Sequence, residues 1–265
     1  MNSVIKLSSL ATREFWEIPI LFEYEHLLAL DKPAGLPVSP DSDDATRPNL
    51  MALLHAGIAE NKPWARDRAL TYLNDAHRMD AEASGVLLLA KSKDFFVALS
   101  DLFGAERPLL KYVTLVQGHP AEEQFQVNAK LASHPTRPGF VHVNPKEGKK
   151  AQTKFSVLEK FQRWTLMRCE PLTARPHQMR VHLQNSGLPI VGDALYGGKP
   201  LLLSKLKPGF YLKRGHEERP LIAQAMLHAE EVQLPHPVTG ESITITAPWP
   251  KDLKVAVKYL RLFDA

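Results

Sequence analysis

At 265 residues, with 44% hydrophobic and 23% charged side chains, the chain is long enough for one large domain or two small ones and too apolar to be disordered. No apolar run approaches the roughly 20 residues needed to span a bilayer, the N-terminus lacks the pattern of a secretory signal, and the single cysteine, Cys169, excludes a disulfide framework or a cysteine-rich zinc site. The chain therefore reads as cytoplasmic, and its net charge of +4 allows a polyanionic partner without demanding one.

In chain order, EHLLALDKP reads as an apolar strand stopped by Lys32-Pro33. A turn-rich stretch follows, with Pro33, Gly35, Pro37 and Pro40, and it ends in the acidic run 41–44. The continuously apolar run 85–90 predicts a strand buried on both faces. Phe95, Phe96, Leu99, Leu102 and Phe103 mark one face of a helix. From Lys111 to Val116 the pattern alternates as in a strand, with Tyr112, Thr114 and Val116 on one side. Two more strands are predicted at 153–161 and 164–169. The stretch 176–186 reads as a helix, with Pro176 in its first turn, Gly187 at its stop, and His177, Arg180, Val181 and Gln184 sharing a face. A strand at 242–246 precedes a last helix striped by Leu253, Ala256, Val257 and Leu260. Strands and helices mix without regular alternation, which points to α+β.

Basic residues cluster twice. Segment 128–154 carries Lys130, Arg137, Lys146, Lys149, Lys150 and Lys154 against Glu147. Segment 199–219 carries Lys199, Lys205, Lys207, Lys213, Arg214 and Arg219 against Glu217 and Glu218. Both could follow a phosphate backbone, and from charge alone both read first as solvated loops.

The segment HRMDAEASG at 77–85 leads straight into the apolar strand. A carboxylate there, Asp80, sits at the edge of a rigid core, where a catalytic group can be held, and Arg78 and His77 could keep it ionised. Taken alone, it reads as an ordinary polar turn. His77, His177 and His182 match neither HExxH nor a Cys/His finger, so no metal is expected. Gly192-Asp193 reads as a structural turn, and Cys169 as a packing residue.

HRMDAEASGVLLLAKS resembles the signature of the RluA-type pseudouridine synthases, a His-Arg-Leu-Asp run before a Thr-Ser-Gly and an apolar strand. LLALDKPAGLPVSP is similar to that family's Lys-Pro-x-Gly segment, and KYVTLVQG to its Lys-Tyr strand. TARPHQMRVHLQNSGLPIVGDALYGG resembles its Arg-x-His-Gln-Ile-Arg run and the Gly-Asp-x-x-Tyr-Gly after it, and LHAEEVQLPHPVTGE its last strand pair. Met79, Ala83, Ala174 and Pro176 depart from the usual Leu, Thr, Gly, and Thr or Ser. None of these removes a group that the chemistry requires.

The resemblance implies an α+β fold: a long mixed, mostly antiparallel sheet with flanking helices and a central cleft. It implies a catalytic domain over 22–265 behind an N-terminal extension, 1–21, too short for the extra RNA-binding domain of many relatives. It implies an enzyme that isomerises specific uridines of structured rRNA or tRNA by base flipping, without a cofactor. By the same resemblance Asp80 is the catalytic carboxylate, and Tyr112 stacks on the base or acts as general base. Arg180 pairs with Asp80, with Arg175 the second choice for that role. Arg78 fills the gap left by the flipped base, and His77, Arg175, His177 and Gln178 complete the substrate-binding set. The expected partner is RNA, with neither membrane nor metal, and the chain is expected to be a monomer. The competing readings are an RNA-binding protein on this fold that has lost catalysis, and a metal-dependent hydrolase built on the histidines.

Overall fold

A run as apolar as 85–90 is stable as a strand only where both of its faces are covered. Every residue of the strand it forms, Ser84–Ala90, is buried. The computed structural model describes residues 4–40, 46–213, 215–237 and 239–265. The acidic run 41–44 and Arg214 lie outside the described residues. The chain divides into two compact units, Met1–Leu110 with Ala229–Pro248, and Lys111–His228 with Trp249–Ala265.

Unit one opens with β1 (Val4–Ser9), β2 (Glu14–Glu23) and β3 (Leu27–Lys32), followed by the helices α1 (Leu50–Ala59) and α2 (Pro63–Arg66). Then come β4 (Asn74–Asp75), β5 (Ser84–Ala90) and α3 (Lys93–Gly104). Unit two takes up β6 (Leu109–Gln117) from Lys111 onward, then β7 (Gln124–Ser133), β8 (Val141–Val143), β9 (Lys149–Lys160), β10 (Trp164–Pro171) and α4 (Gln178–Asn185). The chain returns to unit one with β11 (Leu227–Pro235), from Ala229 onward, and β12 (Ser242–Thr246), and ends in unit two with α5 (Lys251–Phe263).

In unit one the strand order is β1-β2-β3-β5-β11, with β12 on β11 and β4 on β5. In unit two it is β6-β10-β9-β7-β8. The pairings β1/β2, β2/β3, β3/β5 and β11/β12 are antiparallel, as are β6/β10, β10/β9, β9/β7 and β7/β8. Residues 4–23, expected as an extension up to 21, are thus two strands of the unit-one sheet, and β2 pairs with β3 through Ile20↔Leu30.

The helix α3 starts where Ser92 accepts a hydrogen bond from the Phe95 amide, and it buries Phe95 and Leu99. These pack with Leu27, Val86, Leu88, Val232, Leu234 and Ile245 as one core, with Phe96, Leu102 and Phe103 partly buried against it. The last helix buries Leu253, Ala256, Val257 and Leu260, the stripe read from the sequence. Gly85 has φ +103°, and a Cβ there would collide with the Ala229 carbonyl. Only glycine lets β5 begin so close to β11.

Two expectations change. Residues 112–116 of β6 are buried on both faces, so the alternation from Lys111 to Val116 does not separate a core side from a wet one. The helix expected over 176–186 starts later, at Gln178. His177 caps it in the left-handed conformation, with φ +51°. The expected shared face is accordingly split: Arg180 and Val181 are buried, while Gln184 is exposed and His177 lies ahead of the helix.

Candidate active site

Asp80 stands in the turn that feeds β5. The Ala83 amide donates to the Asp80 carbonyl over 3.1 Å and closes the turn. The next carbonyl, Ala81, accepts from the Gly35 amide over 2.8 Å and from Lys32 Nζ over 3.1 Å. Lys32 ends β3 and has no exposed surface. Its ammonium also donates to the Pro33 carbonyl over 2.9 Å and to the Leu36 carbonyl over 2.8 Å. An ammonium has three protons and no lone pair, so three carbonyl acceptors match it fully. Burial pulls the Lys32 pKa down to about 7, while the charges of Glu82 and Asp80 favour the ammonium and Arg47 opposes it. Asp80 is therefore near a buried cation, and the backbone around it is stapled to the 33–36 segment. Asp80 itself is half-buried.

His77 was expected to face RNA and to help keep Asp80 charged. The structure puts it inside instead. Its ring stacks on Phe103 at 4.8 Å, and its Nε2 accepts from the Leu88 amide over 3.1 Å. Burial drives its pKa down to about 4, so it is neutral at physiological pH and lends no positive charge. Arg78, the next residue, is exposed. Its charge acts on the carboxyl of Asp75, which burial raises above the usual range.

In unit two, Arg180 lies on α4 with only 2% of its surface exposed. Its Nε donates to Asp193 Oδ2 over 2.7 Å and its Nη2 to Asp193 Oδ1 over 2.8 Å, a bidentate pair. The guanidinium carbon lies 5.0 Å from the Tyr196 ring centre. Tyr196 Oη accepts from the Val141 amide over 3.0 Å and is 2.8 Å from His177 Nδ1. That contact holds His177 in its unusual conformation and delays the start of α4. The turn presenting Asp193 depends on Gly192, whose φ is +80° and whose Cβ would meet the Gln224 backbone.

Gln178, expected at the RNA, is likewise an internal staple. Its Nε2 donates to the Gln152 carbonyl and to Thr153 Oγ1, both over 2.9 Å, and its Oε1 accepts from Thr173 Oγ1 over 2.8 Å. These bonds tie the start of α4 to β9. Arg175 is half-buried, with Nη1 on the Ala174 carbonyl at 2.7 Å. Tyr112 is buried on β6, opposite Cys169 of β10. The Cys169 thiol is fully buried, which pushes its pKa up and leaves it a packing group. Among the described residues no cluster of His, Cys, Asp and Glu could hold a metal ion, and no helix is long and apolar enough to cross a membrane. His77, His177 and His182 each have a different partner, Leu88, Tyr196 and Thr153.

The family model described as RNA pseudouridylate synthase matches residues 26–185. The chain belongs to that family. Over 244 residues, 91% of this chain and 70% of the relative, it is 34% identical to the ribosomal large subunit pseudouridine synthase C of Salmonella typhi. It is also 34% identical to the protein of that name in Vibrio cholerae, over 97% of this chain and 72% of the relative. The solved structure of human RNA pseudouridylate synthase domain containing 4 superposes with a TM-score of 0.68 at 25% identity, covering 91% of this chain and 92% of that one. Pseudouridine synthases are isomerases, and that is this chain's enzyme class. The fold class expected from the sequence, α+β around a mostly antiparallel sheet, is the one found.

Within this family two residues of the present chain escaped the sequence reading. From sequence Lys32 reads only as the end of a strand, and Asp193 as part of a turn. The signal for Asp193 was the Gly-Asp-x-x-Tyr-Gly match, which already placed an acid and an aromatic in a fixed relation after the arginine. For Lys32 no signal beyond the Lys-Pro match was available, since lysines are almost always exposed.

Proposed function

We propose that this pseudouridine synthase acts on uridine in structured ribosomal RNA, with Asp80 as the catalytic carboxylate and base flipping as the means of access. The reaction breaks the N1–C1′ bond, turns the uracil and rejoins it through C5. The C5 proton leaves and N1 gains one, so the atoms balance without a redox partner or a co-substrate. Asp80 assists either by adding to the sugar or by taking a proton from it. The observation that carries this reading is the Asp80 turn, a half-buried carboxylate whose backbone is anchored through the Ala81 carbonyl to Gly35 and Lys32. Such anchoring is what a positioned catalytic group needs.

Tyr112 is the residue beside the target base, and Arg180 is the cation that pairs with Asp80. The bidentate bond to Asp193 takes the Nε/Nη2 edge of Arg180 and fixes the guanidinium plane, so a pairing with Asp80 has to be made through the other edge. Arg78 fills the space of the flipped uridine, and its exposure supports that role. Arg175 and His177 contribute to RNA binding. Ribosomal RNA is favoured as substrate by the names of the matched relatives.

The test is to map pseudouridines in total RNA from cells with and without the protein, and to complement with Asp80→Asn. A ribosomal position should lose its pseudouridine on deletion and regain it only with the wild type. In vitro, Asp80→Asn should fall by at least about 100-fold, the low end for a positioned acid-base group. A variant within tenfold of wild type would remove Asp80 from the chemistry, and loss confined to tRNA would replace the substrate.

A further inference from the structure

Beside the Asp80 turn, within unit one, is a hollow of about 170 Å³ whose walls include Glu14, Trp16, Gly35, Leu36 and Arg47. On β2 the residues Glu14, Trp16 and Ile18 point the same way. Ile18 is fully buried, Trp16 is half-buried and Glu14 is exposed, so this face runs from the core out to the mouth of the hollow. Across from it, Arg47 Nη2 donates to the Gly35 carbonyl over 2.7 Å, which sets the direction of the guanidinium. The Gly35 amide in turn donates to the Ala81 carbonyl over 2.8 Å. One wall of the hollow is therefore a single hydrogen bond from the residue that follows Asp80.

We infer that this hollow takes one nucleobase of the RNA, a neighbour of the target uridine, with Trp16 as its stacking surface and Arg47 as the cation at its wall. The inference rests on the proposed function for the identity of the polymer. Its volume is below the roughly 300 Å³ at which sites for drug-sized ligands begin, so it suits one flat ring system rather than a cofactor. An indole and a guanidinium on the walls are the pair that binds unstacked bases irrespective of sequence. A site for phosphate alone would have no use for the indole, and Glu14 would repel it. Glu14 can instead accept from an exocyclic amino group, which favours a base carrying one over uracil.

The experiment measures binding of a fluorescein-labelled synthetic stem-loop with a mixed-sequence loop, in the Asp80→Asn background so that no turnover intrudes. Trp16→Ala should weaken binding by about tenfold, within the range of one lost base stack, and Trp16→Phe should recover most of that loss. Arg47→Gln should weaken it by a smaller factor. Photocrosslinking of the unsubstituted protein to the same stem-loop carrying 6-thioguanosine, a photoreactive base with an exocyclic amino group, should yield an adduct on the peptide containing Trp16 or Arg47. That arm decides the matter if Trp16→Ala does not fold. Unchanged affinity for Trp16→Ala, weakening by Arg47→Gln alone, or adducts confined to other peptides would each overturn the inference. If the stem-loop binds in a Trp16-dependent way while no RNA gains pseudouridine from the wild type, the hollow stands and the proposed function falls.

Discussion

Lys32 in unit one and Arg180 in unit two are both cations in the interior, and the chain holds them by opposite means. Among the described residues, Lys32 Nζ has only neutral carbonyls in hydrogen-bond contact, with the acids Glu82 and Asp80 acting on it as charges. Arg180 has a carboxylate locked to it edge to edge, with an aromatic ring near its face. The first arrangement fixes backbone: it joins 33–36 to the Asp80 turn. The second fixes a side chain: it sets the plane of one guanidinium. A rounded, three-proton ammonium suits the former task, and a flat fork suits the latter.

This difference orders the expected effects of breaking each. Asp193→Asn leaves the Arg180 charge buried without its partner's charge, and stability should fall by about 3–5 kcal/mol, read from urea denaturation. Replacing the pair together, Arg180→Met with Asp193→Leu, should cost markedly less, because neither member of that pair is left buried without the other. Equal losses for the single and double variants would mean that packing, not charge, dominates there.

Acid should strain both units. His77 in unit one and His182 in unit two are each lowered to about 4 by burial. The unfolded chain binds their protons below about 6.5 and the folded chain resists until about 4. The stability that these two rings contribute should therefore be full above about pH 6.5 and fall as pH drops toward 4, with each unit of lowering equivalent to about 1.4 kcal/mol. Replacing His77 with Phe should flatten this slope in part. An unchanged slope would show that its ring is not the neutral form seen here.

Lys32→Met removes a charge and leaves carbonyls short of a donor, while the Gly35 amide still serves Ala81. The expected loss is about 1–3 kcal/mol, smaller than for Asp193→Asn, since no opposite charge is stranded in direct contact. A larger loss would reverse the ranking of the two cations.

The smallest expected effect on stability lies in unit two, where Lys130 of β7 faces Lys150 of β9 and both are exposed. Like charges directly opposite are unfavourable across a sheet, and an anionic partner would relieve them. Neutralising both, with Lys130→Gln and Lys150→Gln, should leave the denaturation midpoint within about 0.5 kcal/mol of wild type. It should also lower the salt dependence of RNA binding by somewhat under one unit of log–log slope per lost contact. An unchanged slope would make this a solvated face.

The parts of this molecule that could be read from sequence are those governed by local periodicity. β5 is a run with no polar interruption, α3 and α5 are amphipathic, and each was placed within a few residues. β1 and β2 were missed as sheet strands because most of β2 is exposed or half-exposed, which leaves little hydrophobic contrast to read. The late start of α4 could not be seen, since it depends on Tyr196, nineteen residues along the chain from His177. His77 and Gln178 were assigned to RNA because they are polar and near motif residues, and sequence does not tell a polar staple from a polar contact. Asp80 and Arg180 stood out only through the order of several short matches, not through the chemistry of either residue alone.

The discontinuity of unit one has a consequence for synthesis. On the ribosome, residues 1–110 emerge first, yet β11, which lies against β5, is supplied by residues beyond 226. Until then β5 has β3 on one side and, on the other, only the two residues of β4 at its end, so its Leu and Val side chains and the rest of that edge are a template for aggregation. Gly85 sharpens the point, since it leaves the start of β5 bare where the Ala229 carbonyl must come close. Nascent chains stalled before residue 227 should need a chaperone to stay in solution, and release from that dependence should come when the stall point lets the segment through residue 248 clear the exit tunnel.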